Sequence, residues 1–147
     1  MFSISFQPGH PLESPRLGIG LIVLGQFSEY FDSQLDYWRR EDYEAHWRKM
    51  IHRVVNERLD ACLITSLSIP EHANFHTWWP MYVSGADVIF QNQLLFVDQL
   101  PGRFDPDHPY LSLSAFQSHN DEGERISEWR VPMGALETWL NAGSQDR

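Results

Sequence analysis

Between residues 41 and 56, Tyr43, Trp47, Met50, Ile51 and Val54 recur at intervals of three and four. That spacing puts all five on one face of a helix and on no single face of a strand. Glu41, Asp42 and Glu44 fall in the first turn and His52 and Arg53 near the end, as the helix macrodipole prefers. Glu44 and Arg48 form an i,i+4 pair in the favourable order. On either side of this segment the apolar runs are strand-length and separated by turn residues. The fold class that follows is α+β: a mainly antiparallel β-sheet with one principal amphipathic helix (about 41–56) and a short C-terminal helix, in a single domain over residues 1–147.

The strand readings are 3–6, 17–24, 26–35, 61–68, 77–83 and 88–97, with residues 7–16 a proline-rich loop. Pro80 restricts its strand to a sheet edge or a bulge. Alternation in 88–97 places Val88, Phe90, Leu94 and Phe96 on one face. Residues 111–117 and 124–131 flank Asn120-Asp121-Glu122-Gly123, which reads as a hairpin. Pro132 opens the last helix, with Leu136, Trp139 and Leu140 inward and Gly143 just past its end. Cys62 is the sole cysteine, in an apolar strand context, and serves as a small hydrophobe.

Charge narrows the partner class. The chain carries 20 acids and 11 bases, a net of −9. Six of the bases lie in residues 39–58, on the polar side of the expected helix, so the remainder holds sixteen acids and five bases, a net of −11. Such a field repels nucleic acid phosphates and draws cationic partners inward. No apolar run approaches the ~20 residues that span a bilayer, and no signal peptide is visible, which points to a cytoplasmic protein without membrane contact.

Catalytic and metal motifs are lacking: no phosphate-binding glycine loop, no G-x-S-x-G elbow, no paired-cysteine zinc knuckle. His72 and His76 are four apart, but the proline before and the strand pattern after them deprive that spacing of its helical meaning. No metal, cofactor or catalytic residue is expected. A small β-rich hydrolase would have to use Asp98, Glu128 or scattered histidines. A ligand-binding module would stack its ligand on Trp78 or Trp79, neighbours that face opposite sides of a strand, one core and one exposed. A protein-binding surface fits better. Its candidates are Trp78 and Trp79 as aromatic anchors and Asp98, Asp105, Asp107, Asp121, Glu122 and Glu124 as the acids.

An ordered series of residues carries a further implication. Leu35-Asp36-Tyr37-Trp38, Glu41-Asp42-Tyr43 and Trp47 are followed by Leu63-Ile64-Thr65-Ser66, Ala73-Asn74-Phe75 and Trp78-Trp79-Pro80-Met81-Tyr82. Then come Phe90-Gln91-Asn92-Gln93-Leu94-Leu95-Phe96, Phe104-Asp105, Pro109-Tyr110 and a block from Asp121 to Trp129. In this order and spacing the chain resembles the immunity proteins of bacterial contact-dependent growth inhibition systems. The resemblance runs from about residue 25 to residue 131; Arg39-Arg40 departs from it where a serine helix cap is expected, and residues 1–18 match nothing in it. It implies a protein that binds a cognate toxin domain, the C-terminal part of an exported adhesin; the reading that follows is a monomer when free that binds one toxin domain. Such toxins are often RNases or DNases, and related immunity proteins cover or distort their active sites.

Overall fold

The computed structural model describes residues 1–68, 74–100 and 102–145. Among the described residues, eight strands and two α-helices follow in the order β1 (Phe2–Phe6), β2 (Leu17–Leu24), β3 (Phe27–Gln34), α1 (Arg40–Glu57), β4 (Ala61–Ser66), β5 (Phe75–Ser84), β6 (Asp87–Gln91), β7 (Gln93–Phe96), β8 (Glu128–Pro132) and α2 (Met133–Gln145). The α+β class stands, but the strands form two antiparallel sheets where the sequence suggested one. The first is β1-β2-β3; the second runs β4-β5-β6-β8, with β7 also on β5. Two-residue turns close the β2–β3 and β5–β6 hairpins, and each opens on a glycine at positive φ, Gly25 at 68° and Gly85 at 61°.

α1 buries Tyr43, Trp47, Met50, Ile51 and Val54, the five residues its spacing picked out, together with His46. Arg39 at its N-cap offers no capping side chain. Instead the Arg39 backbone N–H donates to Asp42 Oδ2 at 2.9 Å, which satisfies the helix entry from the acidic first turn.

The polar tips of the same helix face do a second job. β4 is the edge strand of the larger sheet, and an uncovered edge leaves backbone groups without partners. Here the Ile64 N–H donates to His46 Nε2 at 2.8 Å, while Trp47 Nε1–H donates to the Ile64 carbonyl at 2.8 Å. Leu67 N–H donates to the Tyr43 hydroxyl at 2.9 Å, and Ser33 Oγ donates to the Thr65 carbonyl. The Tyr43 hydroxyl in turn donates to the Gln34 carbonyl at 2.7 Å. The β4–β5 register shifts between Ile64 and Ser66, the place where these side chains dock. So α1 and β3 together seal the edge of β4 and tie the two sheets to each other. Burial pushes the Tyr43 phenol well above its ordinary range, and the Cys62 thiol likewise, as suits a hydrophobe without reactivity.

The core draws on both sheets and both helices, with Ile4, Ile22, Trp47, Leu63, Phe90 and Leu136 among its buried members. Gly20 of β2 pairs with Phe31, and a Cβ there would run into the Phe31 ring, which itself packs edge-on against Trp47 at 5.7 Å. Gly20→Val should therefore cost about 1–3 kcal/mol through overpacking, although valine is the better strand former. Urea denaturation with an unchanged slope and a lower midpoint is the expected result.

Several expectations need correction. Pro80 lies in β5, which is central, with β4 on one side and β6 and β7 on the other. The constraint falls on the neighbouring strand instead: β6 ends at Gln91 and β7 starts at Gln93 in the same register (Met81 pairs with Phe90, Trp78 with Gln93), leaving the stretch beside Trp79 and Pro80 unpaired. A proline has no N–H to give a ladder, so the expected strand 88–97 is interrupted at Asn92. Phe90 is buried, whereas Leu94 and Phe96 are exposed. Residues 111–117 do not form a strand. A 3-10 turn (Pro109–Ser112) is followed by irregular chain whose carbonyls go to side chains of the sheet: Tyr82 Oη donates to Ser114 O at 3.1 Å and Gln91 Nε2 to Gln117 O at 2.8 Å. The turn at Asn120–Gly123 does exist, held by Asn120 Oδ1 accepting from the Glu122 and Glu124 N–H groups, but a single bridge, His119 to Arg125, replaces the expected ladder. Pro132 closes β8 and does not open the helix, and Gly143 lies inside α2.

Candidate functional site

The interruption at Asn92 has a consequence on the surface. An open groove of about 960 Å³ lies there, and its lining comes from β3 (Phe27, Glu29), from the β6–β7 junction (Gln91, Asn92, Gln93) and from Trp129 of β8. Leu94 and Phe96 of β7 and Gln117, Asn120 and Asp121 of the loop before β8 complete much of the lining. Gln91 is fully buried, with its amide spent on the Gln117 carbonyl and its Oε1 accepting from Gln93 Nε2 at 2.6 Å. The Phe27 and Trp129 rings stack at 4.4 Å with planes 24° apart, and Trp129 leans on Trp79 at 5.5 Å. The groove is open to solvent and set on a hydrogen-bonded amide floor beside stacked rings.

The residues named from sequence fall unevenly around this groove. Asp121 lines it, and Glu122 and Glu124 sit exposed on the same Asn120 turn. Asp98 is exposed in the 3-10 turn Val97–Gln99 that follows β7 and contributes Gln99 to the lining. Asp105 and Asp107 belong to another place, a turn laid against α1. Lys49 Nζ donates to the Asp107 carbonyl at 3.2 Å, and Asp107 shares a smaller hollow with Trp38, His46 and Lys49. Asp105 accepts from His108 Nδ1 at 3.0 Å and from the Asp107 N–H at 2.9 Å, and the His108 bond first, then the backbone one, holds its carboxyl below the usual carboxylate range. Its oxygens are occupied in closing the turn.

Trp78 and Trp79 were expected one in and one out; both are buried, at 3% and 2% exposure. The reason is that β5 is covered on both faces: the rings of Trp78 and Trp79 are both members of the core. Neither ring offers a face for stacking a ligand. Glu128, the other half of the hydrolase pair, lines a separate hollow with Asp60, Tyr82 and Arg130. His76 is buried in β5 with its pKa lowered by desolvation, and His72 lies outside the described residues. Among the described residues, no group of three or more His, Cys, Asp or Glu is placed to hold a metal ion. None of the helices described is long and apolar enough to cross a membrane.

Sequence reasoning passed over Glu29 and Phe27. A signal was present: in the alternation of β3, Phe27, Phe31 and Ser33 take the inward positions, and Glu29 shares their parity. A carboxylate on that side marks a place where the covering layer is missing.

Two antiparallel sheets, a helix sealing an edge strand and an open groove beside the break in the larger sheet define an α+β protein of one recognisable class. A chain of the solved CdiA-CT/CdiI toxin and immunity complex from Enterobacter cloacae shares this architecture with a TM-score of 0.84, 25% identity and coverage of 97% of both chains. The immunity protein CdiI of Enterobacter cloacae subsp. cloacae is 28% identical over 138 residues, 92% of this chain and 94% of that one. A profile of the CdiI N-terminal domain matches residues 33–139, and the chain belongs to that family.

Proposed function

We propose that this chain is an immunity protein: it binds, one to one, the C-terminal toxin domain of a cognate CdiA-type effector and so protects the cell that makes it. The observation that carries this reading is the match in fold and sequence to CdiI over nearly the whole of both chains. It acts in the cytoplasm, as a monomer until the toxin arrives, by stoichiometric binding and not by catalysis. The toxin is a nuclease, with an RNase favoured, and the acidic surface lies over its cationic active site. The net of −11 outside residues 39–58 supports that part, since a nuclease must present positive charge to hold a polyanion.

The direct test is co-expression with the reading frame immediately upstream, followed by copurification. A 1:1 complex in which the toxin is inactive is expected; a toxin domain that stays free and active rejects the reading. Steering makes a kinetic prediction as well. Stopped-flow association should slow by about tenfold or more from low to high salt, because screening shortens the field to ~8 Å at physiological ionic strength. Reversing Asp98, Glu122 and Glu124 together should slow association further while leaving the melting temperature in place. Any one of these exposed acids alone should matter little, as an exposed ion pair is worth about 0–1 kcal/mol. A rate indifferent to salt and to the triple reversal would assign the acids to solubility alone.

A further inference from the structure

We propose that the groove beside Asn92 is the anchor point for the toxin, and that it takes a basic side chain, arginine or lysine, against the Phe27–Trp129 stack with Glu29 and Asp121 supplying the opposite charge. This rests on the proposed function and goes beyond it by naming the site and the chemistry it accepts.

Glu29 occupies an inward-parity position of β3 between Phe27 and Phe31, where a covered carboxylate would be costly to desolvate. It remains exposed because the groove opens in front of it. Its Oε2 accepts one hydrogen bond, from the neutral Asn92 Nδ2 at 3.2 Å, and among the described residues no lysine or arginine forms an ion pair with it. Asp121, also in the lining, is likewise without an ion pair among the described residues. Among the described residues, none that lines the groove is a lysine or arginine. The site thus presents two carboxylates, the amides of Asn92 and Gln93 and a half-buried aromatic pair, and among the described residues lacks the component that would complete it, a cation with an extended apolar body. Arginine suits this lining, since its guanidinium forks to carboxylates and its apolar stem packs along half-buried ring surface.

The surroundings have the make-up of an interface centre and rim. Leu94 and Phe96 stand 50% and 41% exposed on β7, and Phe96 contacts the exposed Phe75 across the strand pair at 6.1 Å. The floor is already fixed by the Gln93–Gln91–Gln117 hydrogen bonds, so little side-chain entropy is lost when a partner settles on it. The acidic lining also excludes a phosphate-bearing occupant.

The experiment is calorimetric titration of the cognate toxin domain into wild type, Glu29→Lys, Asp121→Lys, the double reversal, Glu29→Gln and Asp32→Lys. Glu29→Gln retains an acceptor for Asn92 while deleting the charge, so it reports on the charge even if reversal disturbs the fold. Asp32 lies on the outward face of the same strand and serves as the control. Each groove reversal should raise Kd by about tenfold or more and the double by about a hundredfold, Glu29→Gln by several-fold, and Asp32→Lys by less than about threefold. Wild-type Kd in the groove variants, with tight binding by wild type, overturns the groove assignment alone. A wild type that does not bind the toxin overturns the proposed function and this site together.

Discussion

Trp47→Ala is expected to cost about 3–5 kcal/mol, a large part of the 5–15 kcal/mol that holds a typical domain folded. Two separate losses combine. The indole is 1% exposed and packs on Phe6 at 5.0 Å, Phe31 at 5.7 Å and Tyr43 at 6.2 Å, so its removal opens a cavity among rings from β1, β3 and α1. Its Nε1–H also serves the Ile64 carbonyl, which would be left buried without a donor at the sealed edge of β4. Trp47→Phe separates the two: it keeps most of the ring contact and forfeits the hydrogen bond, for about 1–2 kcal/mol. For a chain of this length each kcal/mol moves the melting temperature by about 2–4 °C, so calorimetry should find the alanine variant about 6–20 °C below wild type. Equal melting temperatures for Trp47→Ala and wild type would mean the helix does not seal the strand.

The helix was legible because its period is long and its apolar residues large; Tyr43 to Val54 leave only one face to bury. β2 was legible as a compact apolar run, and β3 from the rougher alternation of residues 26–35. What sequence could not give was the partition into two sheets, since that depends on which strand meets which across the core and not on any local pattern. The strand 88–97 misled because alternation is blind to the neighbour: Pro80, eight or more residues earlier, breaks the pairing at Asn92. The same blindness hid the groove, whose lining comes from four segments distant in sequence. Residues 111–117 misled in the opposite sense. Their composition suits a strand, but side chains of Tyr82 and Gln91 had claimed their carbonyls. The acids were visible as charge, yet their grouping was not: Asp105 is consumed by its own turn, whereas Glu29, in an unremarkable strand, faces the groove.

Acid should unfold this protein earlier than its carboxylates alone would require, and His46 is the reason. Its Nε2 accepts the Ile64 N–H at 2.8 Å, a bond that only the unprotonated nitrogen can make. The ring is 6% exposed and lies against Trp38 at 5.2 Å. Desolvation first, and the nearby Lys49 ammonium second, lower its pKa to about 3 in the folded protein, against about 6.5 in the unfolded chain. Between those values the unfolded state binds the extra proton, so the free energy of unfolding rises with pH across this window. The stabilisation is complete above about pH 6.5 and is lost as pH falls toward 3, at up to about 1.4 kcal/mol per pH unit. His76, whose pKa burial also lowers, acts in the same direction. By pH 4.5 the loss from His46 should reach about 2–3 kcal/mol. His46→Gln places an amide oxygen near the Nε2 position, keeps an acceptor for Ile64 N–H and removes the titration. Urea midpoints measured from pH 7.5 to 4.5 should therefore fall steeply for wild type and much less for His46→Gln. Parallel profiles for the two proteins would show that the imidazole accommodates its proton in the fold, and that the His46–Ile64 bond is not what acid breaks.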